Sequence, residues 1–190
     1  MKRVVLEKQT SAQDVASFAR RHGLELYDEI EANEDRPGET IWTSEGARDR
    51  LHRLDDQFSG LVYLIIKGDR EEALRDAAEE ELDGLTTEIL AVAMQGRDDA
   101  ALSRSAIAAL GVLAPPACSE EYLGIFRWVL RHDNPAVRDA AISATGYARW
   151  PELIAELEHV ATNDPDPALR DYAKIAIDAI ADPDDADPPQ

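Results

Sequence analysis

A six-residue segment that occurs twice constrains the fold of this chain more than any other feature. Residues 134–139 read NPAVRD, and residues 166–171, which begin 32 positions later, read DPALRD. Each copy opens a run with helical periodicity, and a further helical run at 151–162 lies between them. Two helices per unit at such a period are typical of stacked helical repeats. Because stacked repeats build extended surfaces, the repeat favours a binding role over a catalytic one.

The repeated positions have readable physical roles. Asn134 and Asp166 are suited to cap helices, and the proline that follows each fits a first helical turn, where its missing amide costs nothing. Arg138 and Arg170 are expected to face their preceding loops and bind acidic groups or carbonyl oxygens there. The positions that we assign to the repeat are Asn134, Pro135, Arg138, Asp139, Asp166, Pro167, Arg170 and Asp171.

The pattern Asp-x-Asp/Asn-Pro-x-Val/Leu-Arg-x-x-Ala resembles HEAT repeats, in particular the short bacterial HEAT-like units. The resemblance covers about residues 98–181, where a degenerate earlier copy aligns at an offset of 35 residues. It implies a mostly α fold, with a short α-solenoid of HEAT-like helix pairs preceded by a small α+β region. The bacterial proteins that this layout resembles are uncharacterised, so the resemblance implies no activity.

The chain is expected to have three parts. Residues 1–68 predict a small α+β region with an antiparallel sheet and one helix, which opens with a capping box at Ser11 and Asp14. Its strongest strand is 61–66, which is apolar on both faces as a central strand should be. Residues 69–181 predict the α-solenoid, and 182–190 an acidic tail without a core-forming residue, which should be disordered.

The charge balance restricts the partners. The sequence has 39 Asp and Glu against 20 Lys and Arg, a formal net charge of -19. So acidic a surface should repel nucleic-acid phosphates and anionic lipids, which excludes both as expected partners. It favours a protein partner, in particular a basic one, or else reflects adaptation to salt. No apolar stretch approaches the roughly 20 residues that cross a bilayer, so a cytoplasmic location is expected.

Sequence motifs give little support to catalysis. His52 with Asp55 and Asp56 is the one candidate for a general base or metal site, and a polar β-turn is the alternative. Cys118 lies among residues that would not lower its pKa, so a structural thiol is expected. No spacing typical of metal ligands or phosphate loops occurs. We therefore expect no cofactor, no metal and no enzymatic activity.

Two sets of residues are candidates for partner binding. The first comprises large aromatic residues of the repeat region, which are either core residues or exposed anchors. Within it, Tyr122 and Phe126 share a helix face and Trp128 lies on another, so one of them should be exposed. The second is an acidic run that is either a solvated helix face or a docking patch. The full set is Tyr122, Phe126, Trp128, Tyr147, Trp150, Glu79, Glu80 and Glu81.

The sequence thus predicts a non-catalytic protein–protein interaction module, an adaptor or regulatory scaffold that uses an acidic helical-repeat surface. A narrower alternative is an immunity-type inhibitor that neutralises a cationic toxin or nuclease. A third is an enzyme with an unrecognised site, which would require His52, Asp55 and Asp56 to converge on a pocket.

Overall fold

The chain divides into two compact units, Met1–Thr86 and Thr87–Gln190, which we call the sheet unit and the helical unit. The first extends well beyond residue 68, the boundary expected from the sequence. The computed structural model describes residues 2–7, 9–34, 36–86, 90 and 103–182.

The sheet unit is built on five antiparallel strands, β1 (Lys2–Val5), β2 (Glu25–Ile30), β3 (Gly38–Thr43), β4 (Asp49–Asp56) and β5 (Leu61–Gly68). Their order is β1-β5-β4-β3-β2, so that β1 and β2 lie at the two edges. The apolar strand β5 pairs with both β1 and β4, which confirms the central strand predicted at 61–66. Leu85 forms an isolated bridge with Val5 and so covers part of the outer side of β1.

Helices α1 (Ala12–Arg21) and α2 (Glu71–Glu81) share a hydrophobic core with the sheet. The predicted capping box begins α1, because the Ser11 hydroxyl accepts the amide of Asp14 and the Asp14 carboxylate accepts the amide of Ser11. Phe18 of α1 and Leu74 of α2 belong to one buried cluster with residues of four strands. The membership of Leu74 explains why the sheet unit extends past residue 68.

The described helices of the helical unit are α3 (Arg104–Val112), α4 (Glu120–Leu130), α5 (Pro135–Ala148), α6 (Leu153–Asn163) and α7 (Pro167–Ala181). Helix α5 packs against α3, α4 and α7, and α6 packs against α4 and α7. Helices α3 and α5 approach each other closely at Gly111, where an added Cβ would lie 2.2 Å from the carbonyl oxygen of Ala144. A larger residue at 111 would therefore push α3 away from α5.

The two repeated segments begin α5 and α7, as predicted. Asn134 and Asp166 are the N-caps, and the side chain of each accepts a hydrogen bond from the amide two residues on. Pro135 and Pro167 occupy the first turn of their helices. The local signals of both helix starts were therefore legible in the sequence.

The predicted contacts of the repeat arginines are also confirmed. Arg138 donates to the carbonyl oxygens of His132 (2.8 Å) and Asp133 (3.0 Å) in its preceding loop. It also donates to both carboxylate oxygens of Asp164, at 2.7 and 3.0 Å. Arg170 donates to the carbonyl oxygen of Asp164 at 2.7 Å. Asp164 thus links the two loops that precede the repeated helices.

The fold class predicted from the sequence, a mostly α chain in which a small α+β region precedes a short α-solenoid of HEAT-like helix pairs, is wrong. The described residues are 52% helical and 20% strand, with a five-stranded antiparallel sheet. The antiparallel sheet lies in the expected α+β region, but a second helix, α2, which was assigned from the sequence to the solenoid, packs into the core of the sheet. The solenoid was expected from residue 69 onward, whereas the sheet unit, nearly half of the chain, reaches residue 86.

Two predictions concern residues that the structure does not describe. These are the disordered tail, of which only Asp182 is described, and the first residues of the degenerate repeat copy, near residue 98. Over the described part of the chain, no helix combines the length and the apolar character that a membrane crossing requires.

Candidate protein-binding surface

Strand β2 is exposed along almost its whole length. Five of its six residues are exposed, and Ile30 is half-buried. Two of the exposed side chains are large and apolar, since Leu26 is 57% exposed and Tyr27 is 72% exposed. On its inner side β2 pairs with β3, whereas no strand of the described residues pairs with its outer side. The outer backbone groups of β2 therefore take no part in the sheet.

The pairing of β2 with β3 shifts at Tyr27. Leu26 and Asp28 lie opposite consecutive residues of β3, so Tyr27 is an extra residue that forms a β-bulge. From Asp28 to the end of the strand the pairing is regular. The amide of Glu29 donates to the Asp28 carboxylate at 2.9 Å. A side chain thus satisfies a backbone donor of this edge strand.

Carboxylates surround the two exposed apolar side chains. The exposed acidic residues of β2 and of the loop after it are Glu25, Asp28, Glu29, Glu31 and Glu34. None of these five forms an ion pair with a described cation, in contrast to the acidic residues of the helical unit discussed below. We call β2 with these five carboxylates the acidic edge.

An open cavity of about 550 Å³ lies beside the acidic edge. Acidic residues Glu29, Glu31 and Asp55 line it together with the guanidinium-bearing residue Arg53. Arg53 Nη2 is 3.7 Å from Asp55 Oδ2, and Arg53 Nε is buried without a hydrogen-bond partner among the described residues. Because carboxylates outnumber the cation, the cavity is suited to a positively charged group.

His52, Asp55 and Asp56 do not converge on a site. The Nδ1 atom of His52 lies 2.7 Å from Glu39 Oε1, and this hydrogen bond lowers the pKa of Glu39 below its usual value. Asp55 lies on the face of β4 opposite to that of His52, because successive residues of a strand alternate between the two faces. Asp56 accepts two amides of the turn after β4. The arrangement that a general base or metal site would need is therefore not formed by these three residues.

Three of the aromatic candidates form a buried cluster in the helical unit. The ring of Trp150 lies edge-on to Tyr122 and Phe126, with centroid distances of 6.1 and 5.9 Å. Trp150 Nε1 donates to the carbonyl oxygen of Pro115 at 2.9 Å. All three rings are at most 3% exposed, so they are core residues that a partner could not reach in this structure.

The other two aromatic candidates, Trp128 and Tyr147, are half-buried. Trp128 packs edge-on against His132, with ring centroids 6.2 Å apart. The prediction that one of Tyr122, Phe126 and Trp128 would be exposed is therefore not borne out, because even Trp128, the most accessible of the three, is half-buried. Tyr122 and Phe126, which are four residues apart, both lie on the core face of α4.

The acidic run at the end of α2 is partly committed to contacts inside the sheet unit. Glu80 and Glu81 are exposed, and Glu79 is half-buried. Arg21 donates to Glu81, and His22 Nε2 lies 2.8 Å from Glu81 Oε1. Hydrogen bonds from Arg21, and then from His22, lower the pKa of Glu81. Glu81 therefore ties α2 to the end of α1.

Sequence reasoning missed a charged group inside the helical unit. Glu156 is buried and accepts hydrogen bonds from Arg127 Nε at 2.7 Å and from Arg131 Nη2 at 2.8 Å. Arg127 of α4 and Arg131, the C-cap residue of that helix, are one turn apart, so that both reach the same carboxylate. The spacing of the two arginines was visible in the sequence, but their shared partner Glu156 on α6 was not.

At the remaining repeat positions, Asp139 pairs with Arg104 at 2.7 Å and Asp171 pairs with Lys174 at 2.8 Å.

The helical unit has an open cavity of about 320 Å³ that includes two histidines. His132 Nδ1 accepts the amide of Asn134 at 3.0 Å, and His159 Nδ1 lies 3.3 Å from the side-chain amide of Asn163. Both rings are thus engaged in contacts within their own segments. The cavity holds no arrangement of a base with a nucleophile.

Neither metal binding nor a reactive thiol gains support. Among the residues described, no three His, Cys, Asp or Glu side chains are grouped so that they could hold a metal ion. Burial raises the pKa of the Cys118 thiol, which disfavours the nucleophilic thiolate.

The chain matches no family model, no curated protein and no solved structure. The family resemblance drawn from 134–139 and 166–171 therefore stays a prediction from the sequence.

Proposed function

We propose that this protein is a non-catalytic interaction module that binds a basic protein through the acidic edge. The observation that carries the proposal is the exposure of Leu26 and Tyr27 on an edge strand among five carboxylates that have no described ion-pair partner. Apolar side chains surrounded by charge of one sign are typical of an interface, in which apolar contact supplies affinity and charge supplies selectivity.

Electrostatics would govern the encounter. A net charge of -19 attracts a cationic protein over several ångströms, and the unpaired carboxylates of the acidic edge concentrate that attraction. Exposed charges are screened by salt, with a Debye length of about 8 Å at physiological ionic strength. Association should therefore slow as the salt concentration rises, and dissociation should change less.

The acidic edge is a better candidate than the surfaces first considered. Tyr122, Phe126 and Trp150 are buried, and Glu81 is engaged by Arg21 and His22. The proposal therefore places the binding surface on the sheet unit and not on the helices. It includes a cytoplasmic location, which is compatible with the lone free thiol of Cys118.

Site-specific photo-crosslinking in cells of the source organism tests this proposal. A photoreactive phenylalanine replaces Tyr27 in one variant and Ile175 in the other, because Ile175 of the helical unit is similarly exposed (64% against 72%). We expect the Tyr27 variant to form an adduct with a basic protein that high salt prevents. A cationic toxin or nuclease in that adduct would narrow the function to inhibition.

The proposal fails if the Tyr27 variant gives no adduct, or if both variants give the same adducts. It also fails if the protein attached at position 27 is acidic, because charge attraction could not then explain binding. Correct folding of both variants is established first by circular dichroism.

A further inference from the structure

We infer that an extended, basic segment of the partner adds to the sheet as a further strand along the outer side of β2. The inference rests on the proposed function and specifies how the acidic edge binds. In strand addition the main chain supplies affinity through hydrogen bonds, and pockets for alternate side chains supply specificity. The acidic edge offers both components.

The two edges of the sheet differ in whether they are covered. On the outer side of β1, the amide of Leu85 donates to the carbonyl oxygen of Val5 at 2.8 Å, and the amide of Val5 donates back at 3.0 Å. On the outer side of β2 no described residue forms such a bridge. β2 is thus the open edge, and from Asp28 onward it has the regular pairing that a further strand requires.

Charge decides which strand can add. Proteins protect edge strands against unwanted pairing with charged residues and bulges, and β2 has both. Carboxylates repel a second copy of this chain, whose net charge is -19, but attract a strand that bears lysine or arginine. The protection is therefore selective, and the occupant that fits is a basic segment of another protein.

The cavity gives the added strand a specific contact. The register places Glu29, Thr40 and Arg53 side by side on one face of the sheet. The side chains of an added strand alternate between faces, so every second one would lie on this face. A lysine or arginine there would reach Glu29, Glu31 and Asp55 in the cavity. We therefore expect a ligand with basic residues at alternate positions.

The test compares two peptides that have the same charge. One is a short peptide of alternating lysine and valine, and the other has the same sequence with N-methyl groups on pairs of neighbouring residues. Methylation removes backbone donors from both edges of the peptide and leaves its charge unchanged. We expect the full-length protein to bind the unmethylated peptide at least about tenfold more tightly than the methylated one. This difference in affinity is equivalent to one or two net hydrogen bonds.

Two matched variants of the protein locate the contact. Glu29→Gln removes a charge and keeps the backbone amide, for which an added strand would compete with the Asp28 carboxylate. Glu29→Pro removes both the charge and the amide, and proline is tolerated on edge strands. We expect Glu29→Pro to weaken binding of the unmethylated peptide more than Glu29→Gln does. Should Glu29→Pro fail to fold, the pair of peptides still decides the matter with the unaltered protein.

Each other outcome overturns strand addition. Equal affinity for both peptides would mean that charge alone binds them, and no binding of either would mean that the edge does not accept a basic strand. Sedimentation that shows a dimer at high salt, which Glu29→Pro abolishes, would assign the edge to a second copy. The crosslinking at position 27 is read independently, so the proposed function can stand when strand addition fails.

Discussion

The helical unit buries several charged and aromatic residues in internal contacts, whereas the sheet unit leaves comparable groups exposed at one edge. In the helical unit, Asp164 and Glu156 are buried and each is held by arginine. In the sheet unit, Leu26 and Tyr27 are exposed among carboxylates without described cation partners. A buried charge that is paired contributes to folding, and an exposed charge that is not paired remains free to attract a ligand.

This difference assigns separate roles to the same residue types. Tyr122, Phe126 and Trp150 were candidates for binding, but their burial makes them determinants of stability. The carboxylates of the acidic edge contribute little to stability by the same reasoning, because exposed charges in water interact weakly. Substitutions in the helical unit should therefore change unfolding, and those at the acidic edge should change binding.

The largest effect is expected from Trp150→Ala. Removing a fully buried indole leaves a cavity between α4 and its neighbours and should lower the free energy of unfolding by about 4 kcal/mol. The measurement is denaturant unfolding of the full-length protein, followed by circular dichroism. Trp128→Ala is the control, and its cost should be clearly smaller because Trp128 is only half-buried. Equal costs would contradict the assignment of Trp150 to the core.

The next effect is expected at the pair formed by Arg138 and Asp164, whose side chains are 9% and 2% exposed. Arg138→Met leaves the Asp164 carboxylate buried without its cation and should cost about 3 kcal/mol. A Trp42→Phe background limits the fluorescence signal to the tryptophans of the helical unit. The double variant with Asp164→Asn should lose less stability than the two single variants combined. Strict additivity would show that the two side chains do not interact.

A smaller effect should appear as the pH changes. Hydrogen bonds from Arg138 are the main cause that lowers the pKa of Asp164 in the folded protein. The stabilisation is complete above the unfolded value of about 3.9 and is lost as the pH falls through the lower folded value. The difference in unfolding free energy between the unaltered protein and Asp164→Asn should thus stay constant from neutral pH to about 5 and shrink below 4. A difference that grows in acid would refute this reading.

Local features were predictable from the sequence because the residues that create them are close together in the chain. The capping box of Ser11 and Asp14, the caps Asn134 and Asp166, and the apolar strand at 61–66 all depend on nearby residues. Each of these features follows from backbone donors and side-chain apolarity, without knowledge of what packs against it.

The acidic edge could not be predicted in the same way. The position of β2 at an edge depends on the order of the five strands, which the sequence pattern does not show. The burial of Glu156 depends on α4, which lies 25 to 29 residues earlier in the chain. Features that depend on residues far apart in the chain were therefore not predictable from the sequence pattern.

The smallest change in stability and the clearest change in binding should come from the same variant, in which Glu29→Gln and Glu31→Gln are combined. Both side chains are exposed and lack described ion-pair partners, so unfolding free energy should change by less than about 0.5 kcal/mol. Binding of the lysine–valine peptide should nevertheless weaken and depend less on salt, because two carboxylates of the acidic edge are lost. Calorimetric titration at two salt concentrations measures the binding, and denaturant unfolding of the same preparations measures the stability. A loss of stability comparable to that of Arg138→Met would mean that the acidic edge is structural, and the distinction between the two units would then disappear.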